Sequence, residues 1–181
     1  MRRLALIAAA LLACGLARAA PAFSVCVDYH CDQTQLVSPD AAFWHSMHVL
    51  FHDTANAAQE RQRIRLAIAL FEQLVGERTG TAGDLPFNRA GAGLEGQLDC
   101  IAESRNTDTY LRLLDRFGLL RWHVVEARAV RHVWIVMTHW TAVIRDLVDG
   151  SLYAVDSWRL NNGEPPYVQP LQAWYADEPL D

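Results

Sequence analysis

The sequence predicts an α+β protein in which helices come first and an antiparallel sheet second. Up to Phe117 the apolar residues recur at helical spacing. Beyond Gly118 they gather into short runs of Val, Ile, Trp and Tyr, the pattern of strands. Strands and helices do not alternate, which argues against a doubly wound parallel sheet. The sheet is expected to pack on the helix that begins at Cys100.

Residues 1–19 have the organisation of a secretory signal peptide. Arg2-Arg3 form a basic start, Leu4 to Leu12 are apolar, and Ala17-Arg18-Ala19 supplies small residues at the cleavage spacing. The apolar run is too short to span a bilayer, which takes about 20 residues. The expected location is the periplasm or the exterior. Leu11-Leu12-Ala13-Cys14-Gly15 resembles a bacterial lipobox, the alternative route, in which Cys14 would carry a lipid anchor. Removing residues 1–19 takes away Arg2, Arg3 and Arg18 and no acidic group, so the formal net charge moves from −5 to −8. Nucleic acid is therefore not an expected partner. Half the chain is apolar and its 181 residues suit one domain, expected over 20–181. There is no lysine, which excludes Schiff-base chemistry on that residue.

Ser38-Pro39 reads as a helix start, followed by Phe43, Met47, Leu50 and Phe51 on one face. A second helix is expected from Asp53 or Thr54 to Val75, with Ile64, Ile68, Phe71 and Val75 facing inward. Gly76 and Gly80 would stop it, and Glu60, Arg61, Arg63 and Arg65 read as its solvated face. The glycine-rich segment from Thr79 to Gly96 is expected as an ordered loop. A third helix should run from Cys100 to about Phe117, ended by Gly118. Expected strands cover 120–126, 131–140, 141–148 and 151–157, and the tail from Asn161 to Trp174 reads as coil. Trp122, Trp134, Trp140, Trp158 and Trp174 are expected as core and sheet cover.

With Cys14 set aside, Cys26, Cys31 and Cys100 remain in an oxidising compartment. Cys26 and Cys31 enclose only Val27-Asp28-Tyr29-His30, so a local disulfide is the economical pairing. Cys100 is left over. Such a cysteine is buried and inert, linked to another chain, or reactive. At a helix N-terminus it meets unpaired N–H groups and the positive end of the helix dipole, both of which favour the thiolate. His139, heading the apolar run 139–144, would sit on a strand as the base. Asp156, in Val155-Asp156-Ser157-Trp158, would hold its imidazole from the next strand.

That order of Cys, His and Asp, with the runs Asp99-Cys100, His139-Trp140 and Val155-Asp156, resembles the transglutaminase-like branch of the papain-like cysteine enzymes. The stretch from Gly96 to Leu120, with Tyr110-Leu111 and Gly118-Leu119 after the cysteine, is particularly similar to the bacterial transglutaminase-like cysteine proteinases. The resemblance covers 96–158, roughly a third of the chain. Upstream, 20–80 has only a general likeness to small exported proteobacterial proteins. The resemblance implies Cys100 as nucleophile, His139 as base and then acid, and Asp156 as orienting carboxylate. It also implies Gln97 as an oxyanion donor, at a spacing other than papain's. The implied function is an exported cysteine hydrolase or acyltransferase acting on amide bonds of proteins or cell-wall peptides, without a cofactor.

Two other readings compete. One is a non-catalytic member of the same fold that binds a peptide or partner protein. The other is a metal-binding accessory protein using His45, His48 and His52, which share one helix face, with His30 nearby; no Glu stands where the His-Glu-x-x-His hydrolases need it. Strand register tests the triad. A two-residue Asp149-Gly150 turn would pair Asp156 with Val143 and leave His139 about 13 Å away along the strand. A four-residue loop, Asp146 to Asp149, would put His139 opposite Asp156, with Thr141 and Ala154 alongside. The longer loop is expected.

Overall fold

A computed structural model describes residues 22–133 and 137–177. The expected signal peptide, Cys14 and Trp134 lie outside the described residues. Among the described residues no helix is long and apolar enough to cross a membrane. The described residues form an α+β architecture, with a two-stranded antiparallel hairpin, three α-helices, a five-stranded antiparallel sheet and a short fourth α-helix.

The hairpin pairs β1 (Phe23–Cys26) with β2 (Thr34–Val37) where the sequence suggested only helix. Each strand is four residues long, and β2 buries only Val37, so no alternating signal accumulates. A distant residue holds it instead: the Asn106 side chain accepts from the Cys26 N–H at 2.7 Å and donates to the Cys26 carbonyl at 3.0 Å. The disulfide Cys26–Cys31 closes the hairpin loop as expected, with Cα atoms 4.7 Å apart.

Helix α1 (Ala41–Phe51) starts two residues past the expected site. Asp40, not Ser38, caps it by accepting from the Phe43 N–H at 2.8 Å, while the Ser38 carbonyl receives Arg78. Helix α2 (Ala57–Thr79) is capped by Asn56, and Thr54 instead closes the end of α1 through the Phe51 carbonyl. Gly76 lies inside α2 rather than stopping it. A Cβ there would stand 2.8 Å from the Ala82 Cα, so glycine lets the following turn fold back onto the helix. Gly80, at φ 84°, is the stop.

The face of α2 expected to be solvated is partly buried. Glu60 is fully enclosed, accepts the backbone N–H groups of Arg121 and Trp122, and pairs with His123 Nδ1 at 2.9 Å. Arg61 reaches Asp146 at 2.9 Å. Charged residues at helical spacing look solvated in sequence; here they take partners across 60 positions of chain or more.

Helix α3 (Cys100–Arg116) has the expected span and carries the core. Tyr110, Leu111 and Leu114 meet Ile64, Ile68 and Phe71 of α2 on one side and the sheet's Ala142, Ile144 and Val155 on the other. Truncating Leu111 to Ala is expected to cost about 2–5 kcal/mol.

The sheet comprises β3 (His123–Val125), β4 (Ala129–Val133), β5 (Met137–Asp146), β6 (Leu152–Asp156) and β7 (Tyr167–Pro170). β5 is central. β6 and then β7 line one side, and β4 and β3 share the other, pairing with the first and last parts of β5. Trp140 and Thr141, expected on separate strands, lie together inside β5. The tail expected as coil supplies β7 and α4 (Leu171–Tyr175), elements of four and five residues too short to show a period.

The β5–β6 loop has the expected length but sits one residue later. Arg145 pairs with Leu152, and Asp146 N–H donates to the Ser151 carbonyl at 2.8 Å, leaving 147–150 as the turn. Arg61 holds Asp146 in the strand, and Gly150 takes φ 78° to close the loop. Continuing the register from Ala142 opposite Val155 puts Thr141, not His139, across from Asp156. His139 is the diagonal neighbour on the same face, within side-chain reach.

Candidate active site

Cys100 is the first residue of α3, immediately after its cap. Asp99 accepts the Ala102 N–H on Oδ1 at 2.9 Å, and its other oxygen lies 2.8 Å from His30 Nδ1. The Cys100 sulfur lies 3.6 Å from the carbonyl oxygen of Thr138, the residue before His139. Burial pushes the Cys100 thiol pKa up, partly opposed by the Trp140 backbone N–H, and the charges of Asp99 and Asp156 add to the rise. Desolvation thus outweighs the helix-end effect on which the sequence expectation of a ready thiolate rested.

His139 lines the same cavity as Cys100. Its Nε2 lies 2.6 Å from Asp156 Oδ2 in a buried contact, which assigns the ring proton to Nε2. Its Nδ1 is buried with no hydrogen-bond partner. The ring is flanked by Trp158 and Trp174, with centroids 4.8 and 5.4 Å away. Asp156 also accepts from Trp174 Nε1 at 2.9 Å and lies 3.5 Å from Arg159 Nε.

Cys100, His139, Thr138 and Trp158 line one cavity of about 320 Å³, together with Tyr29, His30 and Arg89. The cystine loop therefore builds one wall. His30 and Cys31 both take left-handed backbone, at φ 58° and 62°, a costly conformation that the closed loop enforces. Tyr29 is clamped in turn, its hydroxyl accepting from the Gly91 N–H and lying 2.8 Å from both oxygens of Asn88.

Gln97 is not brought to the cleft. Its Nε2 donates to the Gly83 carbonyl at 2.9 Å and its Oε1 accepts from Leu85 N–H and Asn88, so it braces the 83–88 loop. Among the groups at the helix start, the Cys100 N–H has no intrahelical acceptor, as the first residue of a helix must.

Behind the cleft, Ser157 ties the two halves of the site. Its hydroxyl donates to Glu103 Oε2 and lies 2.9 Å from Thr107 Oγ1, fixing α3 against the end of β6. Burial chiefly pushes the Glu103 carboxyl well above its ordinary range, with the charges of Glu72 and Asp84 adding to the effect. Burial lifts Glu72 to about 8, although the Gly163 N–H donates to it, and also raises Asp84.

His45, His48 and His52 lie exposed along α1, with His52 Nδ1 2.7 Å from Asp53. His30 is engaged by Asp99. Among the described residues no three or more His, Cys, Asp or Glu side chains converge as metal ligands would. Trp174, Trp158, Arg131 and Arg159 form part of the site surroundings without having been singled out as such in sequence; Trp158 and Arg159 directly follow the Asp156 run, whereas no local signal pointed to Arg131 or Trp174. No family model, curated protein or solved structure matches the chain.

Proposed function

We propose that this protein is an exported cysteine hydrolase or acyltransferase acting on amide bonds of proteins or cell-wall peptides, with a fold of the transglutaminase-like, papain-like type. One observation carries the reading: His139 is bound by Asp156 through Nε2 while its unpartnered Nδ1 belongs to a ring that shares a cavity with the Cys100 thiol.

In the proposed reaction His139 Nδ1 takes the Cys100 proton as the sulfur attacks the amide carbonyl, and a C–S bond forms. The oxyanion is met by the Cys100 N–H at the positive helix end. Collapse breaks the C–N bond, and the proton passes from His139 to the leaving amine. Water, or a second amine, then attacks the thioester with His139 again as base. C–S cleavage returns the proton to Cys100. Asp156 keeps the ring in the reactive tautomer throughout. Because the thiol is raised, His139 must act as a true base rather than find a thiolate already formed.

The raised thiol is also the observation that favours a non-catalytic, peptide-binding protein. Acylation by p-nitrophenyl acetate separates the two. Native protein should gain one acetyl group on Cys100, detected by mass, with none in Cys100→Ala and a large loss of rate in His139→Ala. Acetylation of Cys100 only after unfolding would sink the enzymatic reading.

A further inference from the structure

A second cavity of about 280 Å³ continues past His139 and shares His139, Trp158 and Arg89 with the first, but not Cys100, Tyr29 or His30. Its other lining residues are Phe87, Arg131, Arg159 and Asp177. Three arginines thus meet on the histidine side of the cleft, in a chain whose overall charge is −5. Arg131 stands directly opposite His139 in the β4–β5 register, so the two share one face of the sheet. It is 6 % exposed, stacks over Trp174 at 4.7 Å and gives one nitrogen to the Trp174 carbonyl, while its Nε is buried without a partner. Arg131 and Arg159 both grip Asp177 Oδ1, at 2.5 and 2.6 Å. That carboxyl is held below the ordinary range, chiefly by Arg159. Asp177 itself is 60 % exposed and lies just past α4 in left-handed backbone. One buried guanidinium and one partly exposed guanidinium are thus covered by a single exposed carboxylate, that of Asp177.

We infer that this cavity is the leaving-group subsite and that it binds a carboxylate on the amine half of the substrate, which takes the place of Asp177 between Arg131 and Arg159. The leaving-group assignment rests on the proposed role of His139. The proton released to the amine comes from His139, so the amine half must lie on the histidine side of Cys100, where this cavity begins. Paired guanidiniums recognise carboxylates with good geometry, and the partly buried setting strengthens the contact. The carboxylate has two sources with the same chemistry: the α-carboxylate of a terminal residue, or an acidic side chain just after the scissile amide. The substrate class is therefore amides whose amine product is anionic. The released product is a neutral amine carrying its carboxylate.

The test is equilibrium binding to full-length Cys100→Ala protein, followed by tryptophan fluorescence, so that no turnover is needed. Three amines serve as probes: alaninamide with no carboxylate, alanine with an α-carboxylate, and aspartic acid α-amide with a side-chain carboxylate. At low salt at least one carboxylate probe should bind about tenfold or more tightly than alaninamide, and the better of the two identifies the source. Asp177→Ala should tighten that binding severalfold, whereas Arg159→Gln and Arg131→Gln should erase the preference. Asp177→Ala and Arg159→Gln alter partly exposed side chains, so they decide the matter even if Arg131→Gln folds poorly. Equal binding of the three probes, or no gain in Asp177→Ala, overturns the subsite. Failure of Cys100 acylation alongside carboxylate-selective binding would overturn the acyl-transfer reading and the leaving-group role, leaving a carboxylate-binding protein.

Discussion

Two histidines of the same sheet are each buried against a carboxylate, His139 against Asp156 of the neighbouring strand and His123 against Glu60 of α2, and His139 lines a cavity with Cys100. By burial they are nearly indistinguishable, with side chains 3 % and 2 % exposed in the first pair and fully enclosed in the second. Their spare nitrogens differ. His123 uses Nδ1 on Glu60, and its Nε2 lies 3.3 Å from Arg61 and 3.9 Å from Asp146. Every polar position of that ring is occupied, as in a structural network. His139 leaves Nδ1 without a partner, beside a cavity lined by Cys100. A buried histidine–carboxylate pair therefore does not by itself single out a site; what sets His139 apart is a ring nitrogen without a partner on a residue that lines the same cavity as Cys100.

The largest expected effects break this comparison directly. His139→Ala should lower Cys100 acylation by about 10³-fold or more with little change in melting temperature, since it removes the base. His123→Ala should do the reverse, costing about 3 kcal/mol or more by leaving Glu60 buried and unpaired. Asp156→Asn and Glu60→Gln should divide the same way. The first slows acylation by about 10²–10⁴-fold through the wrong tautomer, and the second lowers the melting temperature with acylation retained. Acylation rates and thermal melts on the four variants decide it. If both pairs affect only stability, His139–Asp156 is a structural pair like His123–Glu60.

Much of this arrangement was legible in the sequence because it rests on local signals. The odd cysteine after Asp99, the apolar run led by His139 and the Asp156 run each sit on the element expected for them. Register was legible in part: the four-residue loop was required by the chemistry, but its placement depended on Arg61 holding Asp146, a contact spanning 85 positions. The cleft wall was not legible. Tyr29 and His30 enter through a hairpin of four-residue strands secured by Asn106, and Trp174 through a five-residue helix. Gln97 had the right chemistry near the right residue, yet its amide is used on the 83–88 loop. Tertiary partners, not residue type, decided these cases.

A second contrast lies between the front and back of α3, where the thiol faces the cleft and Glu103 faces the buried carboxyls Glu72 and Asp84. Burial raises Glu72 to about 8 and raises the other two as well. A carboxyl whose folded pKa lies above its unfolded value contributes stability that is complete below the unfolded value. That contribution is lost as pH rises through the folded one. The melting temperature should therefore fall steadily between about pH 5 and pH 8 or beyond. Glu72→Gln, which stays neutral, should flatten the curve. A melting temperature that climbs over this range would show that Glu72 is ionised in the folded protein.

The smallest expected effect probes why the His139–Asp156 pair has an indole donor where the His123–Glu60 pair has none. Trp174 Nε1 donates to the same Asp156 oxygen that meets His139, so it draws charge from that oxygen while its ring flanks the imidazole. Trp174→Phe keeps an aromatic ring beside His139 and Arg131 but deletes the donor. One hydrogen bond to a charged acceptor is worth about 1.5–3 kcal/mol at most. With Arg159 3.5 Å away to compensate in part, a roughly fivefold to tenfold fall in acylation rate is the expected scale. The split between rate and stability is the sharper readout. With the indole gone, Asp156 keeps His139 and Arg159 as partners, so the acylation rate should fall while the melting temperature changes little. A merely structural role for Trp174 would lower the melting temperature and the amplitude but leave the rate of the folded protein in place.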